Sequence, residues 1–301
     1  MDRRLAENPA EDGMTPPPPD LSIRLGRLLE RMGFGGGGIR REMLGDVPAP
    51  GLLPRDVAVY LPPDFKRGQP APLLIALDGQ MMPRWQLPET LTQLAARGGA
   101  VLPVVTAVPA SLQRIEEYGL AGLPDFNGRG KLAEQFQNYL VHGVLAAMRQ
   151  RYGVGFVREQ TGLFGASMGG LCALDTAWRH PLEFGVAGIF SGSLWWRADD
   201  SDPAAQQASR LMHQRVRQTA AKPPLRLWFQ AGTADETEDR DGNGVIDAIQ
   251  DTTELIDELR AKGFRPGEDV IYRETPGGRH DEQTWAGELP EFLRWALPRC
   301  A

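Results

Sequence analysis

Apolar residues along this chain fall into short runs separated by longer amphipathic stretches. Continuous apolar runs are typical of strands that are buried on both faces. Strands of this kind are predicted at Pro72–Leu77, Ala100–Val108, Phe184–Phe190 and Leu225–Ala231. Arg55–Leu61 alternates between polar and apolar residues, so it is predicted to be a strand exposed on one face. The last strand is predicted at Asp269–Glu274, before a Gly-rich loop.

Stretches with helical periodicity lie between these strands. They are Pro88–Arg97, Leu132–Tyr152, Ala204–Ala220, Asp251–Lys262 and Trp285–Leu297, the last interrupted at Pro290. Strands that alternate with helices predict an α/β fold, a mostly parallel twisted sheet with helices on both faces. Gln113–Asn127 has no clear periodicity and is predicted to be a long loop. Neither a repeat nor a linker divides the chain, so residues 39–301 are predicted to form a single domain.

The first 38 residues differ in character from the rest. Met1–Pro19 is polar and Pro-rich, which predicts disorder. Asp20 can cap a short amphipathic helix that ends by Met32, before four consecutive glycines. Packing on the main domain is the simplest role for this helix, and a lid or a dimer contact are the alternatives. The segment has no apolar core and therefore does not resemble a secretory signal.

Composition narrows the class of partner. The chain has 301 residues, 42% hydrophobic and 24% charged, with a net charge of −6. This charge argues against nucleic acid and acidic membranes as partners. No apolar run is long enough to cross a bilayer. Cys172 and Cys300 form neither a metal motif nor a disulfide framework, so we expect a cytoplasmic protein. The oligomeric state is left open.

The stretch Thr161–Gly170, TGLFGASMGG, is the strongest chemical signal. It contains G-x-S-x-G between a predicted strand and a predicted helix, the setting of a nucleophile elbow. Such a turn lifts the serine above the sheet on a strained backbone. Ser167 is therefore predicted to be a nucleophile, with a Gly-rich turn in a sheet as the alternative.

A serine nucleophile needs a base, and the base needs an orienting acid. Of the four histidines, His280 alone follows a predicted strand downstream of Ser167. It is predicted to be the base. Asp235 is the first carboxylate after the strand Leu225–Ala231 and is the predicted acid, with Glu236 and Glu238 as rivals.

The oxyanion of a tetrahedral intermediate needs two backbone N–H donors. The amide of Met168, directly after the nucleophile, is predicted to be one donor. The other should follow the strand Pro72–Leu77, where Gly79 permits a close approach of the backbone. Gln80 is favoured, and Met81 is the alternative.

Several motifs in this order resemble one known family. Their carriers are YLPPDF, LLIALDGQ, RIEEY, GASMGG, SGSLWW, GTADE and GGRHDEQTWAGELPEFLRW. Over roughly Val57–Pro298 the chain resembles the esterase branch of the α/β-hydrolases that includes enterochelin esterases and esterase D-like proteins. The resemblance implies an α/β-hydrolase fold, hydrolysis of a small-molecule ester, and Ser167, His280 and Asp235 as the triad. Members of this branch act on siderophore, formylglutathione, feruloyl or mycolyl esters, so the resemblance does not identify the substrate.

Residues after other strand ends are candidates for substrate binding. Arg114 and Tyr118 lie in the loop after one strand, and Trp195 and Trp196 follow another. The two tryptophans could stack on an aromatic acyl group. The alternative is that they pack their loop onto the domain.

A separate loop resembles the start of an EF-hand. Its sequence is DRDGNGVID, and its candidate calcium ligands are Asp239, Asp241, Asn243, Val245 and Asp247. The twelfth position is Gln250 instead of Glu. A structural Ca²⁺ is therefore one hypothesis, and an Asx-turn-rich loop that caps the next helix is the other. No cofactor is expected for catalysis.

These features predict a serine carboxylic-ester hydrolase. An acyltransferase with the same acyl-enzyme is the second hypothesis, because an alcohol can replace water. A non-catalytic, calcium-stabilised binding module on the same fold is the third.

Overall fold

An eight-stranded sheet forms the centre of the protein in the computed structural model, which describes residues 38–45, 47–98 and 101–297. The strands are β1 (Arg40–Met43), β2 (Ala58–Leu61), β3 (Leu73–Leu77), β4 (Val104–Val108), β5 (Thr161–Ala166), β6 (Val186–Phe190), β7 (Arg226–Ala234) and β8 (Val270–Arg279). Their order is β1-β2-β4-β3-β5-β6-β7-β8. Strand β2 runs antiparallel to both neighbours, and all other pairs are parallel. The predicted mostly parallel sheet is confirmed.

The helices cover both faces of this sheet. They are α1 (Leu87–Arg97), α2 (Arg114–Glu117), α3 (Ala133–Asn138), α4 (Ala146–Tyr152), α5 (Met168–Arg179), α6 (Pro203–Ala208), α7 (Leu211–Gln218), α8 (Asp247–Ala261) and α9 (Glu282–Ala296). Helices α1 and α9 contribute to one hydrophobic cluster, and α3, α4, α5, α7 and α8 to the other. Parallel strands carry side chains on both faces, and these two helical layers keep both sets from water.

The predicted helix Leu132–Tyr152 is continuous, but its middle is irregular. A π-helical segment, Tyr139–Leu145, joins α3 to α4. The predicted helix Ala204–Ala220 is two helices, α6 and α7, because the chain turns at Ser209 and Arg210. The loop Gln113–Asn127 contains the short helix α2.

The prediction for β2 was wrong in one respect, since all four of its residues are buried. Val59 and Leu61 belong to the cluster on one face of the sheet, while Ala58 and Tyr60 belong to the cluster on the other. The alternation predicts one solvent-exposed face, but Tyr60 packs its ring against apolar neighbours and so occupies an apolar position.

The end of the last strand also differs from the prediction. Strand β8 does not stop at Glu274 but continues through Pro276, Gly277 and Gly278 to Arg279. It is held by pairing with β7, whose register shifts between Gly232 and Ala234 and then pairs Ala234 with Arg279. A register of this kind depends on the partner strand and is not readable from the glycines alone.

The predictions for the Pro-rich segment and the helix Asp20–Met32 lie outside the described residues. Across 38–45, 47–98 and 101–297, no helix combines the length and apolar character needed to cross a bilayer.

Candidate active site

Ser167 occupies the turn between β5 and α5. Its φ of 56° and ψ of −127° are strained for a residue with a side chain. A Cβ on Gly165 would lie 2.8 Å from the carbonyl carbon of Gly169, so only glycine lets the helix approach the strand this closely. The sequence thus produces a sharp strand-to-helix turn with Ser167 at its apex.

The backbone amides of Met168 and Gln80 lie in the first turns of helical segments, where N–H groups have no intrahelical partner. Met168 is the first residue of α5. In the 3₁₀ turn Gly79–Met81, the first hydrogen bond is from the Met81 amide to the Asp78 carbonyl, at 2.8 Å, so the Gln80 amide precedes it. The Gln80 side chain accepts a hydrogen bond from the Ala110 amide at 2.9 Å, which ties this turn to the end of β4.

Asp78 links the turn after β3 to the start of α5. Its carboxylate receives two hydrogen bonds from Arg114, both 2.8 Å, and its amide donates to the Tyr118 hydroxyl at 3.0 Å. A Cβ on Gly169 would lie 2.9 Å from Asp78 Oδ2, so the two segments are in close contact. Tyr118 is fully buried, and burial raises its pKa. This burial argues against direct contact of Tyr118 with a substrate, and Arg114 is already paired in this state.

The two adjacent tryptophans have different environments. Trp196 is fully buried, and its Nε1 donates to the Leu123 carbonyl at 3.0 Å. Its ring packs where a Cβ on Gly119 would stand, 2.7 Å from Cζ2, so it fastens two loops together. Trp195 is half-buried, with the guanidinium groups of Arg129 and Arg197 at 5.6 and 5.8 Å from its ring centroid. Trp195 has surface to offer a ligand, and Trp196 does not.

Asp235 and His280 lie side by side because of the register between β7 and β8. They directly follow Ala234 and Arg279, which are paired residues. The Nδ1 of His280 is 3.4 Å from Oδ1 of Asp235. The Asp235 side chain is fully buried, whereas that of His280 is 42% exposed. A buried carboxylate beside a partly exposed imidazole can hold the ring in one orientation and stabilise its protonated form.

The rival acids and bases have other surroundings or other partners. Burial raises the pKa of Glu236 to about 7, and Glu238 accepts a hydrogen bond from the Thr237 amide. Among the histidines, His142 is exposed on the π-helical segment. His213 is buried with its Nε2 2.9 Å from the Asp251 carbonyl oxygen, and burial lowers its pKa to about 3. Of the candidate acids and bases, the structure brings Asp235 and His280 together.

Strand β6 lies between β5 and β7 and connects the serine to this pair. The Ser167 amide donates to the Phe190 carbonyl at 2.9 Å. The next residue, Ser191, donates its hydroxyl to Asp235 Oδ1 at 3.0 Å. Within the described part of the chain, the Ser167 hydroxyl makes its hydrogen bond with Ser193 Oγ, at 3.3 Å, and not with His280.

The roles of Ser191, Ser193 and Trp285 were not predicted from the sequence. Trp285 Nε1 donates to Ser191 Oγ at 2.9 Å, and its ring meets the His280 ring edge-on, with centroids 5.2 Å apart. The available signal was the pair of serines, S-x-S, at the end of the predicted strand before the tryptophans. Serine is common in loops, so this pair by itself does not indicate a role in the site.

The predicted calcium loop is closed by its own hydrogen bonds. Asp239 accepts from the amides of Asn243 and Gly244, at 3.1 and 2.8 Å, and Asn243 accepts from the amide of Val245 at 2.7 Å. Gln250, at the twelfth position, bonds the side chains of Asp241 and Asn243. Asp247 pairs with Arg240 at 3.1 Å. Among the described residues, no group of three or more His, Cys, Asp or Glu side chains is placed to hold a metal ion. Calcium binding by this loop therefore remains a hypothesis.

The strand order and the sharp turn at Ser167 define the class of fold as that of the α/β-hydrolases. Residues 53–296 match the family model described as "Putative esterase", and the chain belongs to that family. A search of curated proteins finds no match.

Solved structures share this fold at low sequence identity. An enterobactin esterase from Shigella flexneri, solved in the presence of 2,3-di-hydroxy-N-benzoyl-glycine, is 20% identical with a TM-score of 0.64; the match covers 86% of this chain and 59% of that one. A ferulic acid esterase is 17% identical with a TM-score of 0.63, over 87% of this chain and 98% of that one. The enterobactin and salmochelin hydrolase IroE is 19% identical with a TM-score of 0.63, over 90% and 98%. This chain thus spans under two thirds of the Shigella esterase.

Proposed function

We propose that this protein is a serine carboxylic-ester hydrolase that works through an acyl-enzyme on Ser167. The observation that carries the proposal is the contact of His280 with the buried Asp235, at the sheet end where Ser167 also stands. An exposed imidazole held by a buried carboxylate is what a serine base requires.

The reaction follows from these positions. Ser167 Oγ forms a bond to the ester carbonyl carbon while its proton passes to Nε2 of His280. The carbonyl oxygen becomes an oxyanion, which the amides of Met168 and Gln80 receive. On collapse, the bond to the alcohol oxygen breaks, and His280 gives its proton to that oxygen. A water molecule repeats the sequence on the acyl-enzyme and releases the acid.

The Ser167 hydroxyl must leave Ser193 for this step. We propose that rotation about its Cα–Cβ bond turns it towards His280 when an ester occupies the site. Catalytic hydrogen bonds are often long or misaligned before the substrate binds, which supports this view.

For the acyl part, we propose an aromatic group that stacks on Trp195. Arg129 and Arg197 flank the Trp195 ring, but they are paired with Asp125 and Asp200, at 2.5 Å each. The charges of the two guanidinium groups are thus largely balanced, which favours an aromatic acyl group over a strongly anionic one. Similar structures named for enterobactin and for ferulic acid support this choice. For Arg114, we propose a supporting role, in which its ion pair holds Asp78 in place beside the site.

Turnover of p-nitrophenyl acetate tests the mechanism. Ser167→Ala and His280→Gln should each lower kcat at least about a thousandfold, and Asp235→Asn by a similar order. His142→Gln is the matched control, because His142 is exposed on the π-helical segment, and it should keep the parent's rate. Parent-like turnover in Ser167→Ala, or no turnover of any ester by the parent, would refute the proposal.

A substrate panel tests the aromatic site. Trp195→Leu should raise KM for feruloyl and benzoyl esters about fivefold and leave acetate esters within twofold, since stacking contributes about 1 kcal/mol beyond burial. An equal effect on both groups of esters would contradict a stacking role.

A further inference from the structure

We infer that Ser191 and Trp285 are positioning residues that orient Asp235 towards His280. This inference rests on the proposed function, because it concerns the acid and the base of that mechanism. Ser191 would act on the base through the Asp235 carboxylate, and Trp285 would act through the Ser191 hydroxyl and by packing against the His280 ring.

The hydrogen bonds around Asp235 are one-sided. Ser191 Oγ lies 3.0 Å from Oδ1, the same oxygen that faces His280 Nδ1. Oδ2 is buried and, among the described residues, has no hydrogen-bond partner. The Ser191 hydroxyl is thus the closest donor on this buried carboxylate, and it determines which oxygen faces the imidazole. A buried carboxylate without such a donor would turn to find one.

Trp285 fixes the direction of the Ser191 hydroxyl. An indole N–H can only donate, so Ser191 Oγ must accept the 2.9 Å bond from Trp285. The single hydroxyl hydrogen is then left for Asp235 Oδ1 at 3.0 Å, with Gln230 Oε1 more distant at 3.5 Å. Trp285 also meets the His280 ring edge-on, at 83°. Trp285 therefore contacts two groups: Ser191, which donates to the acid, and His280, which is the base.

The backbone of Ser191 is held for this purpose at some cost. Its φ is 43°, in the left-handed region that favours glycine, and its amide donates to the Gln230 carbonyl at 2.7 Å. Strained residues persist where the surrounding structure holds them, commonly at functional sites. A glycine would adopt this φ with less strain, so the feature that serine adds at this position is its hydroxyl.

Because the backbone of Ser191 is strained, two substitutions can distinguish the effect of losing the hydroxyl from an effect on the stability of the fold. Ser191→Gly removes the hydroxyl and relieves the strained φ, whereas Ser191→Ala removes the hydroxyl and keeps the strain. With p-nitrophenyl acetate, both should lower kcat about tenfold with KM within twofold. The melting temperature of Ser191→Gly should not fall below that of Ser191→Ala.

A double-mutant cycle tests whether Trp285 acts through Ser191 on Asp235. Trp285→Phe should lower kcat about threefold, because the hydroxyl can then turn to Gln230. In the Ser191→Ala background the same change should cost nothing further. Trp228→Phe is the matched control, since Trp228 is also a buried tryptophan and its Nε1 has no partner among the described residues. It should keep the parent's kcat.

Parent-like kcat in Ser191→Gly, or fully multiplicative effects in the double variant, would overturn the inference. If the parent turns over no ester, the proposed function fails instead. The inference is then judged by the downfield Nδ1 proton resonance of His280, which needs no turnover. Loss or broadening of that resonance in Ser191→Gly, but not in Trp228→Phe, supports positioning, and an unchanged resonance overturns it.

Discussion

Replacing Gly232 with alanine should damage the site without touching any proposed catalytic side chain. A Cβ built on Gly232 lies 2.3 Å from the carbonyl oxygen and 2.5 Å from the carbonyl carbon of Gly278. Real Cβ atoms essentially never approach closer than 3.0 Å. The obstacle is backbone on the paired strand, which cannot rotate away, so β7 and β8 must separate by at least about 0.7 Å.

That separation would act directly on the proposed acid and base. Gly232 lies three residues before Asp235, and Gly278 lies two residues before His280. Overpacking of this kind costs about 1 to 3 kcal/mol, or about 2 to 12 °C in melting temperature for a domain of this size. Misplacement of catalytic groups by 1 Å costs about a hundredfold, so we expect kcat/KM to fall about tenfold or more.

The assay combines a thermal melt with p-nitrophenyl acetate kinetics. Gly287→Ala is the matched control, because a Cβ there meets nothing within 4 Å and the residue lies inside α9. It should raise the melting temperature by about 2 to 4 °C, from the 0.8 to 1.0 kcal/mol advantage of Ala in a helix. If Gly232→Ala keeps both the parent's melting temperature and its kcat/KM, the close packing of β7 on β8 is not what aligns the site.

Three further predictions concern stability. Glu236→Gln should gain melting temperature over the parent as pH rises from about 4.5 to above 7, because burial raises the Glu236 pKa to about 7 and the folded parent loses its stabilising proton across that window; a gain that is constant with pH would count against this. Arg55→Met should cost about 3 to 5 kcal/mol in urea unfolding, since it leaves the fully buried Glu117 carboxylate unpaired, and adding Glu117→Gln should recover part of that loss. For the loop Asp239–Asp247, a calcium site with a Kd of about 0.1 mM would add about 2 kcal/mol to the free energy of unfolding at about 5 mM calcium, or about 5 °C in melting temperature. The carboxylates of this loop already accept hydrogen bonds from within the loop and from Gln250. We therefore expect the melting temperatures with calcium and with chelator to agree within about 1 °C.

Apolar runs made the strands predictable, because a strand covered on both faces is apolar at successive positions. The elbow was equally clear: the glycines around Ser167 are required by contacts only a few residues away. Trp195 and Trp196 show the limit of this reasoning. They are neighbours in sequence, yet one is half-buried and the other fully buried, because Trp196 fills the space between Gly119 and Gly130.

By itself, the sequence determined the α/β class, the elbow at Ser167 and the short list of acids and bases, since each depends on local composition and spacing. Only the tertiary structure decided that Asp235, and not Glu236, meets His280. That choice follows from the shifted register between β7 and β8, which no local pattern encodes. The same is true of Ser191 and Trp285, which lie 94 residues apart and meet only because α9 packs beside the end of β6.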